Sequence, residues 1–235
     1  DLAPLRLTSA NSINIGRLLP QLFYYVTGHL AVAAAPSDPV VFVVPSGNLG
    51  NLTAGVIAQR LGLPVGRFVA ATNVNAVLPD YLRTGTYRAR PAQPTLSNAM
   101  DVGDPSNFPR LSQIHAEALD GLRANVAGIS ISEDQTRRTI REVYGESGYL
   151  LDPHSAVGVA AARRARAEKG ERRPVIALAT AHPAKFGDVI RQDDRRSVYL
   201  VRKGGPSGEK IVVNVPKGIK DGQKLRVQRQ GKICP

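Results

Sequence analysis

The sequence predicts an α/β protein with a mostly parallel sheet between two layers of helices, followed by a short all-β C-terminal extension. Apolar runs such as Val40–Val44 alternate along the chain with segments of helical periodicity. These runs are almost continuously apolar, which is typical of strands buried on both faces. The extension begins near Gln192, where long helical segments stop and glycine and proline become frequent.

Each element is predicted from its own pattern. Apolar spacing over 13–30 predicts the first helix, with Asn11 or Ser12 as its N-cap. Further on, Ser132 precedes two acidic residues and is expected to cap the helix that follows. The elements predicted after the first helix are a strand at 40–44, a helix at 51–61, a strand at 67–71, helices at 74–83 and 108–124, a strand at 126–131, helices at 133–144 and 155–167, and a strand at 175–179. Ligands of such a sheet bind at the carboxyl ends of its strands.

Composition limits the classes of protein that need to be considered. A chain of 235 residues with 43% hydrophobic residues can form the core of one or two domains. Its apolar runs are shorter than the roughly 18 residues of a membrane span, so we expect no membrane segment. The chain begins at Asp1 without a secretory signal and is expected to be part of a longer sequence. The single cysteine, Cys234, leaves no internal disulfide or cysteine-based metal site and fits a cytoplasmic location.

The net charge of +12 is concentrated in the tail, where residues 191–235 hold 12 Lys and Arg against 4 Asp and Glu. Tyr199 is the one aromatic side chain in the tail that could stack on a base. The charge distribution and this composition argue against nucleic acid as a partner.

A glycine-rich turn between the first strand and the next helix predicts a phosphate site. Glycines allow consecutive backbone N–H groups to converge on an anion, and the helix adds the positive end of its dipole. The donors expected here are the amides of Gly47, Asn48, Leu49, Gly50 and Asn51. The alternative is an ordinary βα connection without a ligand.

Five segments of the sequence together carry a family resemblance. They are Asn11–Arg17; Pro45–Asn51; Ala71–Asn73 through Leu78–Pro79 with Leu82–Gly85; Thr95–Asp101 with Pro105–Phe108; and Asp152–Gly158 followed by Ala179–Phe186. In this order they resemble threonine synthase, a fold-type II pyridoxal-phosphate enzyme that converts O-phosphohomoserine and water to threonine and phosphate. The resemblance covers roughly residues 8 to 190 and implies the fold of the tryptophan-synthase β chain and a role in threonine biosynthesis.

The resemblance also implies roles for individual residues. The amides of Gly47, Asn48, Leu49, Gly50 and Asn51 would hold the phosphate of pyridoxal 5'-phosphate, although the family more often has phenylalanine where Leu49 stands. The hydroxyl of Thr180 would hydrogen-bond the pyridine nitrogen, and an uncharged partner leaves that nitrogen largely unprotonated. The alternative role of Thr180 is that of a helix N-cap before His182 and Pro183.

The Asn-Ser-x-Asn-x-x-Arg segment is similar to the substrate-phosphate clamp of the family. Arg17 offers a planar fork suited to phosphate, and Asn11 and Ser12 add neutral donors. The alternative for Arg17 is an ordinary solvated helix residue. Asp152, His154 and His182 are expected to shape the wall of the pocket, with structural roles favoured over proton transfer. His29 and His115 lie outside any motif and are expected on the surface.

The sequence departs from the family at the Schiff-base lysine. In the family this lysine lies upstream in a Phe-Lys-Asp-like segment, which this chain lacks, and Lys185 belongs to a different motif. We therefore expect a catalytic residue to be missing and the 235-residue chain to have no turnover by itself.

The tail carries a second resemblance. Glu209–Val227 is similar to the strand and turn unit in the C-terminal substrate-binding domains of J-domain co-chaperones, which implies an unfolded protein client. We accordingly predict a partial catalytic domain at 1–190 and a basic, β-rich module at 191–235. Two alternatives to a threonine synthase remain open: a client-binding protein that acts through its tail, and another fold-type II lyase, which would leave the Asn-Ser-x-Asn-x-x-Arg segment unexplained.

Overall fold

The computed structural model describes residues 11–186, 198–201 and 210–213. The chain separates into two compact units, Asp1–Gly187 and Asp188–Pro235. The first unit contains a four-stranded, fully parallel sheet in the order β3-β2-β1-β4. Its strands are β1 (Val40–Pro45), β2 (Val65–Thr72), β3 (Val126–Ser130) and β4 (Val175–Ala177).

Eight α-helices connect and cover these strands in the part of the chain that the structure describes. They are α1 (Ile15–Leu18), α2 (Leu22–Val32), α3 (Gly50–Arg60), α4 (Val77–Thr84), α5 (Phe108–Ile114), α6 (Leu119–Asn125), α7 (Glu133–Ser147) and α8 (Pro153–Lys169). Short 3₁₀ turns lie at Leu19–Gln21, Asn98–Met100 and Pro183–Phe186.

The two faces of the sheet form two separate cores. Side chains alternate between the faces of a strand, so Phe42 of β1 packs on the side of α2 to α6 and Val43 packs on the side of α8. Helix α8 contributes Val157 and Ala161 to the second core. Strands buried on both faces explain the continuous apolar runs, and the predicted three-layer α/β fold is confirmed.

The first predicted helix differs from the structure at its start. Helix α1 begins at Ile15, and its N-cap is Asn14, whose side chain accepts a hydrogen bond from the amide of Gly16 at 2.9 Å. The prediction that Asn11 or Ser12 caps this helix is therefore wrong. A 3₁₀ turn also divides the predicted single helix into α1 and α2.

The helix predicted over 108–124 is two helices. Helices α5 and α6 are separated by Ala116 and Glu117, which adopt left-handed φ angles of 52° and 57°. Neither residue favours this conformation, so the sequence carries no glycine or asparagine signal for the break.

The prediction that His29 and His115 lie on the surface is wrong. Their exposed fractions are 2% and 7%. A ring nitrogen of His29 lies 2.9 Å from the carbonyl oxygen of Asp38, and one of His115 lies 2.9 Å from that of Leu111. Both imidazoles can thus donate to a backbone carbonyl group, which offsets the cost of burying them.

The second unit contains an antiparallel pair of strands, β5 (Val198–Val201) and β6 (Lys210–Val213). Strand β6 falls within the segment Glu209–Val227 that resembles a co-chaperone strand and turn unit, and the part of this segment after Val213 lies outside the described residues. The functional division at residues 190 and 191 stays a prediction. Within the described ranges, no helix is both long and apolar enough to cross a membrane.

Candidate phosphate-binding site

The loop Ser46–Leu49 leaves β1 at the carboxyl edge of the sheet and leads into α3. The amide of Ser46 donates to the carbonyl of Ala71 at 2.7 Å, which holds the start of the loop against the end of β2. Leu49 has a φ of 60°, a left-handed conformation that turns the chain into the helix. The loop is therefore anchored at one end by the sheet and at the other by α3.

This loop presents a row of free amides. Within residues 11–186, no hydrogen bond is donated by the backbone N–H groups of Gly47, Asn48, Leu49, Gly50 or Asn51. Buried amides without partners are costly, and those at the start of an 11-residue helix carry the positive end of its dipole. The donor set therefore fits a phosphate group, as the sequence predicts.

Gly47 is required by close packing. A Cβ at this position would lie 2.7 Å from Cα of Met100 and 3.0 Å from the carbonyl oxygen of Ala99, both backbone atoms. Gly50 is also crowded, because a Cβ there would lie 3.0 Å from Cβ of Ser12. The backbone can thus lie this close to Ala99, Met100 and Ser12 only because positions 47 and 50 have no side chain.

Asn48 connects the loop to two other segments. Its Oδ1 accepts hydrogen bonds from the backbone N–H and the hydroxyl of Ser106, at 2.6 and 2.9 Å. Its Nδ2 donates to Oγ of Ser12 at 2.5 Å, and its carbonyl accepts from the side chain of Asn107 at 3.0 Å. Ser12, predicted to bind the substrate phosphate, is therefore placed directly against the predicted cofactor loop.

The two other predicted clamp residues are placed differently. The side chain of Asn11 accepts a local hydrogen bond from the amide of Ile13 at 2.9 Å. Arg17 is an exposed residue of α1, the short helix that follows this turn. The roles of Asn11 and Arg17 toward a substrate phosphate stay predictions.

Thr180 follows the strand next to the loop. In the register of the sheet Val43 pairs with Ala177, and the amide of Leu178 donates to the carbonyl of Val43 at 3.0 Å. Since β1 and β4 are adjacent and parallel, exposed Thr180 and the loop after β1 lie at the same edge of the sheet. A single ligand can contact Thr180 and the loop after β1 only if they lie at the same edge of the sheet, as they do here.

The capping alternative for Thr180 is wrong, because His182 occupies the position before the 3₁₀ turn. Its Nδ1 accepts from the amide of Ala184 at 3.2 Å, and its carbonyl accepts from the amide of Lys185 at 3.0 Å. His182 therefore caps this turn, and its role in the wall of a pocket stays a prediction.

Asp152 and His154 support the site from α8. Asp152 is the N-cap of this helix, and its carboxylate accepts from Nδ1 of His154 at 3.0 Å. Burial raises the pKa of Asp152, but hydrogen bonds from His154 and Ser155 outweigh burial and hold it below its ordinary value. The other ring nitrogen of His154 accepts from the amide of Ala99 at 3.2 Å. Both nitrogens are engaged, which supports a structural role.

A polar network after β2 was not predicted from the sequence, although its members lie in segments that carry the family resemblance. The side-chain Nδ2 of Asn73 donates to the carboxylate of Asp101 and to the hydroxyl of Thr95, both at 2.8 Å. The side chain of Asn75 donates to the same carboxylate at 3.2 Å. Polar residues directly after a buried strand were the available signal. The network orders the segment that packs against Gly47.

Comparison with known proteins decides the family. The family described as "Pyridoxal-phosphate dependent enzyme" matches residues 16–181. The chain belongs to this family. The matched residues include the loop of free amides and Thr180. Threonine synthases are among the relatives of the chain, which confirms the predicted resemblance.

The relatives of this chain within the pyridoxal-phosphate dependent family include threonine synthases. The enzyme of Serratia marcescens is 42% identical over 186 residues, which are 79% of this chain and 42% of the relative. The structure of pyridoxal-phosphate-bound threonine synthase from Brucella melitensis has a TM-score of 0.75 and 36% identity, covering 82% of this chain and 46% of that one. Threonine synthase from Escherichia coli has a TM-score of 0.73 and 41% identity, covering 82% and 44%. The chain thus spans less than half the length of these relatives.

Proposed function

We propose that this chain is the part of a threonine synthase that holds the phosphate of pyridoxal 5'-phosphate and the phosphate of O-phosphohomoserine. The observation that carries the proposal is the row of unpaired amides from Gly47 to Asn51 at the start of α3. The similarity to threonine synthases over most of the chain supports the substrate. The whole reaction would convert O-phosphohomoserine and water to threonine and phosphate.

When bound, the cofactor supplies an electron sink for carbanionic steps. The residues of this chain would hold the cofactor phosphate and orient the pyridine ring. The loop would bind the cofactor phosphate through backbone N–H groups and not through charged side chains. The Thr180 hydroxyl would give the pyridine nitrogen an uncharged hydrogen-bond partner. Orientation by the loop at one end and Thr180 at the other would fix the plane of the ring.

The substrate phosphate is assigned to Asn11, Ser12 and Arg17. The guanidinium of Arg17 can make two parallel hydrogen bonds to a phosphate, and the Ser12 hydroxyl lies beside the positive end of α3. This set would select a phosphorylated substrate over one with a free hydroxyl.

Equilibrium dialysis against pyridoxal 5'-phosphate and against pyridoxal tests the cofactor site. The two compounds differ only in the phosphate. We expect pyridoxal to bind at least about 10-fold more weakly, since several charge-assisted hydrogen bonds are lost, and we expect inorganic phosphate to compete. Equal affinity for the two compounds, or no binding of either, contradicts the proposal.

Turnover is a separate expectation. No segment of this sequence resembles the one that carries the family's cofactor lysine, so we expect the purified chain to release no phosphate from O-phosphohomoserine. A coupled phosphate assay with the Escherichia coli enzyme as the positive control measures this. Phosphate release at a rate proportional to the concentration of this chain overturns the expectation.

The domain assignment belongs to the same proposal. If residues 1–190 carry the cofactor site, deletion of 191–235 should leave the affinity for pyridoxal 5'-phosphate unchanged. Binding of an unfolded client is the corresponding proposal for residues 191–235, and a reduced, unfolded test protein should bind the full chain but not the deleted form. The biosynthetic role and the single cysteine support a cytoplasmic location.

A further inference from the structure

The side-chain amide of Asn48 has a fixed orientation. The backbone N–H of Ser106 can only donate a hydrogen bond, so the Asn48 atom 2.6 Å from it must be the oxygen. The nitrogen Nδ2 therefore faces Oγ of Ser12 at 2.5 Å. No choice between amide oxygen and nitrogen is left open at this position.

This orientation determines what the Ser12 hydroxyl can do. A serine hydroxyl has one proton to donate, and Ser12 already accepts a hydrogen bond from Asn48. Among the described residues, its proton is donated to no protein acceptor. The hydroxyl lies close to the start of α3, because Oγ is 3.7 Å from the position that a Cβ of Gly50 would occupy. A donor at the positive end of a helix is suited to an anion.

We propose that Asn48 is a positioning residue that makes the Ser12 hydroxyl a donor to the substrate's phosphate ester. This inference rests on the proposed function and adds to it that a side chain of the cofactor loop prepares the substrate site. Without the Nδ2 donor, the Ser12 hydroxyl could rotate and donate to a protein acceptor. An aspartate at position 48 would itself accept the proton and also repel the phosphate.

A purely structural role for Asn48 makes a different prediction. Asn48 also ties its loop to Ser106 and Asn107. If that were its whole function, its loss would lower stability and cofactor affinity, and the effect on the substrate would be independent of Ser12. The decisive measurement is therefore whether the losses of substrate affinity caused by changing Asn48 and Ser12 separately multiply in the double variant or fail to do so.

The experiment is calorimetric titration of the full chain with O-phosphohomoserine in saturating pyridoxal 5'-phosphate. The variants are Ser12→Ala, Asn48→Leu, Asn48→Asp and the double variant Ser12→Ala/Asn48→Leu. Thr27→Ala, which removes an exposed hydroxyl bonded to the carbonyl of Phe23 in α2, is the control. Cofactor affinity and thermal unfolding are measured for each variant.

We expect Ser12→Ala to weaken substrate binding about 10-fold, Asn48→Leu at least about 5-fold, and the double variant no more than Ser12→Ala alone. Independent, multiplying losses overturn the inference. So does a loss of affinity in Asn48→Asp with no loss in Asn48→Leu, because charge repulsion alone would then explain the loss. A wild-type chain that binds no O-phosphohomoserine overturns it as well.

If the wild-type chain binds O-phosphohomoserine with this coupling but binds no pyridoxal 5'-phosphate, the proposed function fails while the role of Asn48 stands.

Discussion

Asp152 and His154 form a buried pair whose hydrogen bond, 3.0 Å between a carboxylate oxygen and Nδ1, supports the backbone that packs against the loop Ser46–Leu49. The bond fixes the proton on Nδ1, so Nε2 is free to accept from the amide of Ala99 at 3.2 Å. The carbonyl of Ala99 in turn lies where a side chain at position 47 would be. Helix α8 thus holds, through two hydrogen bonds, the backbone at Ala99 and Met100 against which Gly47 packs.

Asp152→Asn should lower stability in a way that depends on pH. The native pKa of Asp152 lies below its ordinary value, so the unfolded chain binds the proton more readily. The stabilisation is therefore complete above the unfolded pKa of about 4 and is lost as the pH falls through the native pKa. We expect the variant to be less stable by about 1 to 2 kcal/mol at neutral pH, with a smaller difference from the wild type near pH 3.

Urea unfolding followed by circular dichroism at about pH 7, 5 and 3 measures this difference. His154→Ala removes the partner and keeps the carboxylate, so it should also be less stable but keep a steeper dependence on pH than Asp152→Asn. Parallel stability profiles for the wild type and Asp152→Asn would count against the role of the carboxylate.

Gly47→Ala should damage both stability and phosphate binding. The new Cβ would meet backbone atoms of Ala99 and Met100 at 3.0 and 2.7 Å, and backbone cannot rotate away as a side chain can. We expect a loss of about 1 to 3 kcal/mol and a weaker affinity for pyridoxal 5'-phosphate by equilibrium dialysis.

Gly145→Ala is the matched control for that substitution. Gly145 lies inside α7, and no atom lies within 4 Å of its added Cβ. Alanine is the better helix former, so this variant should gain about 0.5 to 1 kcal/mol in the same unfolding assay and bind the cofactor normally. A similar loss in both variants would show that the close approach at Gly47 is not what matters.

Much of the site was predictable because it depends on the backbone. A strand, a glycine-rich turn and a helix place amides at Gly47 and Gly50 whatever the flanking side chains are. The cap at Ser132 was predictable for a different reason, because its capping box joins side chains only three residues apart in the sequence. What the sequence could not show were contacts over long separations. The hydrogen bond that Asn48 donates to Ser12 and the one it accepts from Ser106 join segments 36 and 58 residues apart.

The errors at the histidines and at the first helix have separate physical causes. Periodicity identifies an apolar face but gives no account of a buried polar side chain with a partner, so His29 and His115 were expected on the surface. The cap of α1 was misplaced because Asn11, Ser12 and Asn14 all have capping side chains, and only local geometry selects Asn14.

Tyr25→Phe should lower stability by removing a hydrogen bond at Asn51, in the first turn of α3. The buried hydroxyl of Tyr25 donates to the side chain or the carbonyl of Asn51, at 2.6 and 2.8 Å, while its ring packs edge-on against Phe42 at 4.9 Å. Phenylalanine keeps the ring contacts and leaves the Asn51 oxygens without that donor. We expect a loss of about 1 kcal/mol in unfolding and a modest loss of cofactor affinity.

Tyr24→Phe is the control for Tyr25→Phe, since Tyr24 is 59% exposed on the same helix. It should be neutral within about 0.5 kcal/mol. Equal stability of the two variants would indicate that the hydrogen bond to Asn51 makes no net contribution.

Glu117→Gly should stabilise the chain even though it removes a side chain. Glu117 and Ala116 have φ angles of 57° and 52°, a region that costs a residue with a Cβ about 1 kcal/mol. Glycine removes that cost but increases the freedom of the unfolded chain, so we expect a net gain of a few tenths of a kcal/mol up to about 1. Glu117→Ala removes the same carboxylate and keeps the strain, so it should show no such gain in thermal unfolding. If both variants were stabilised equally, the benefit would come from the lost charge and the left-handed turn between α5 and α6 would not be strained.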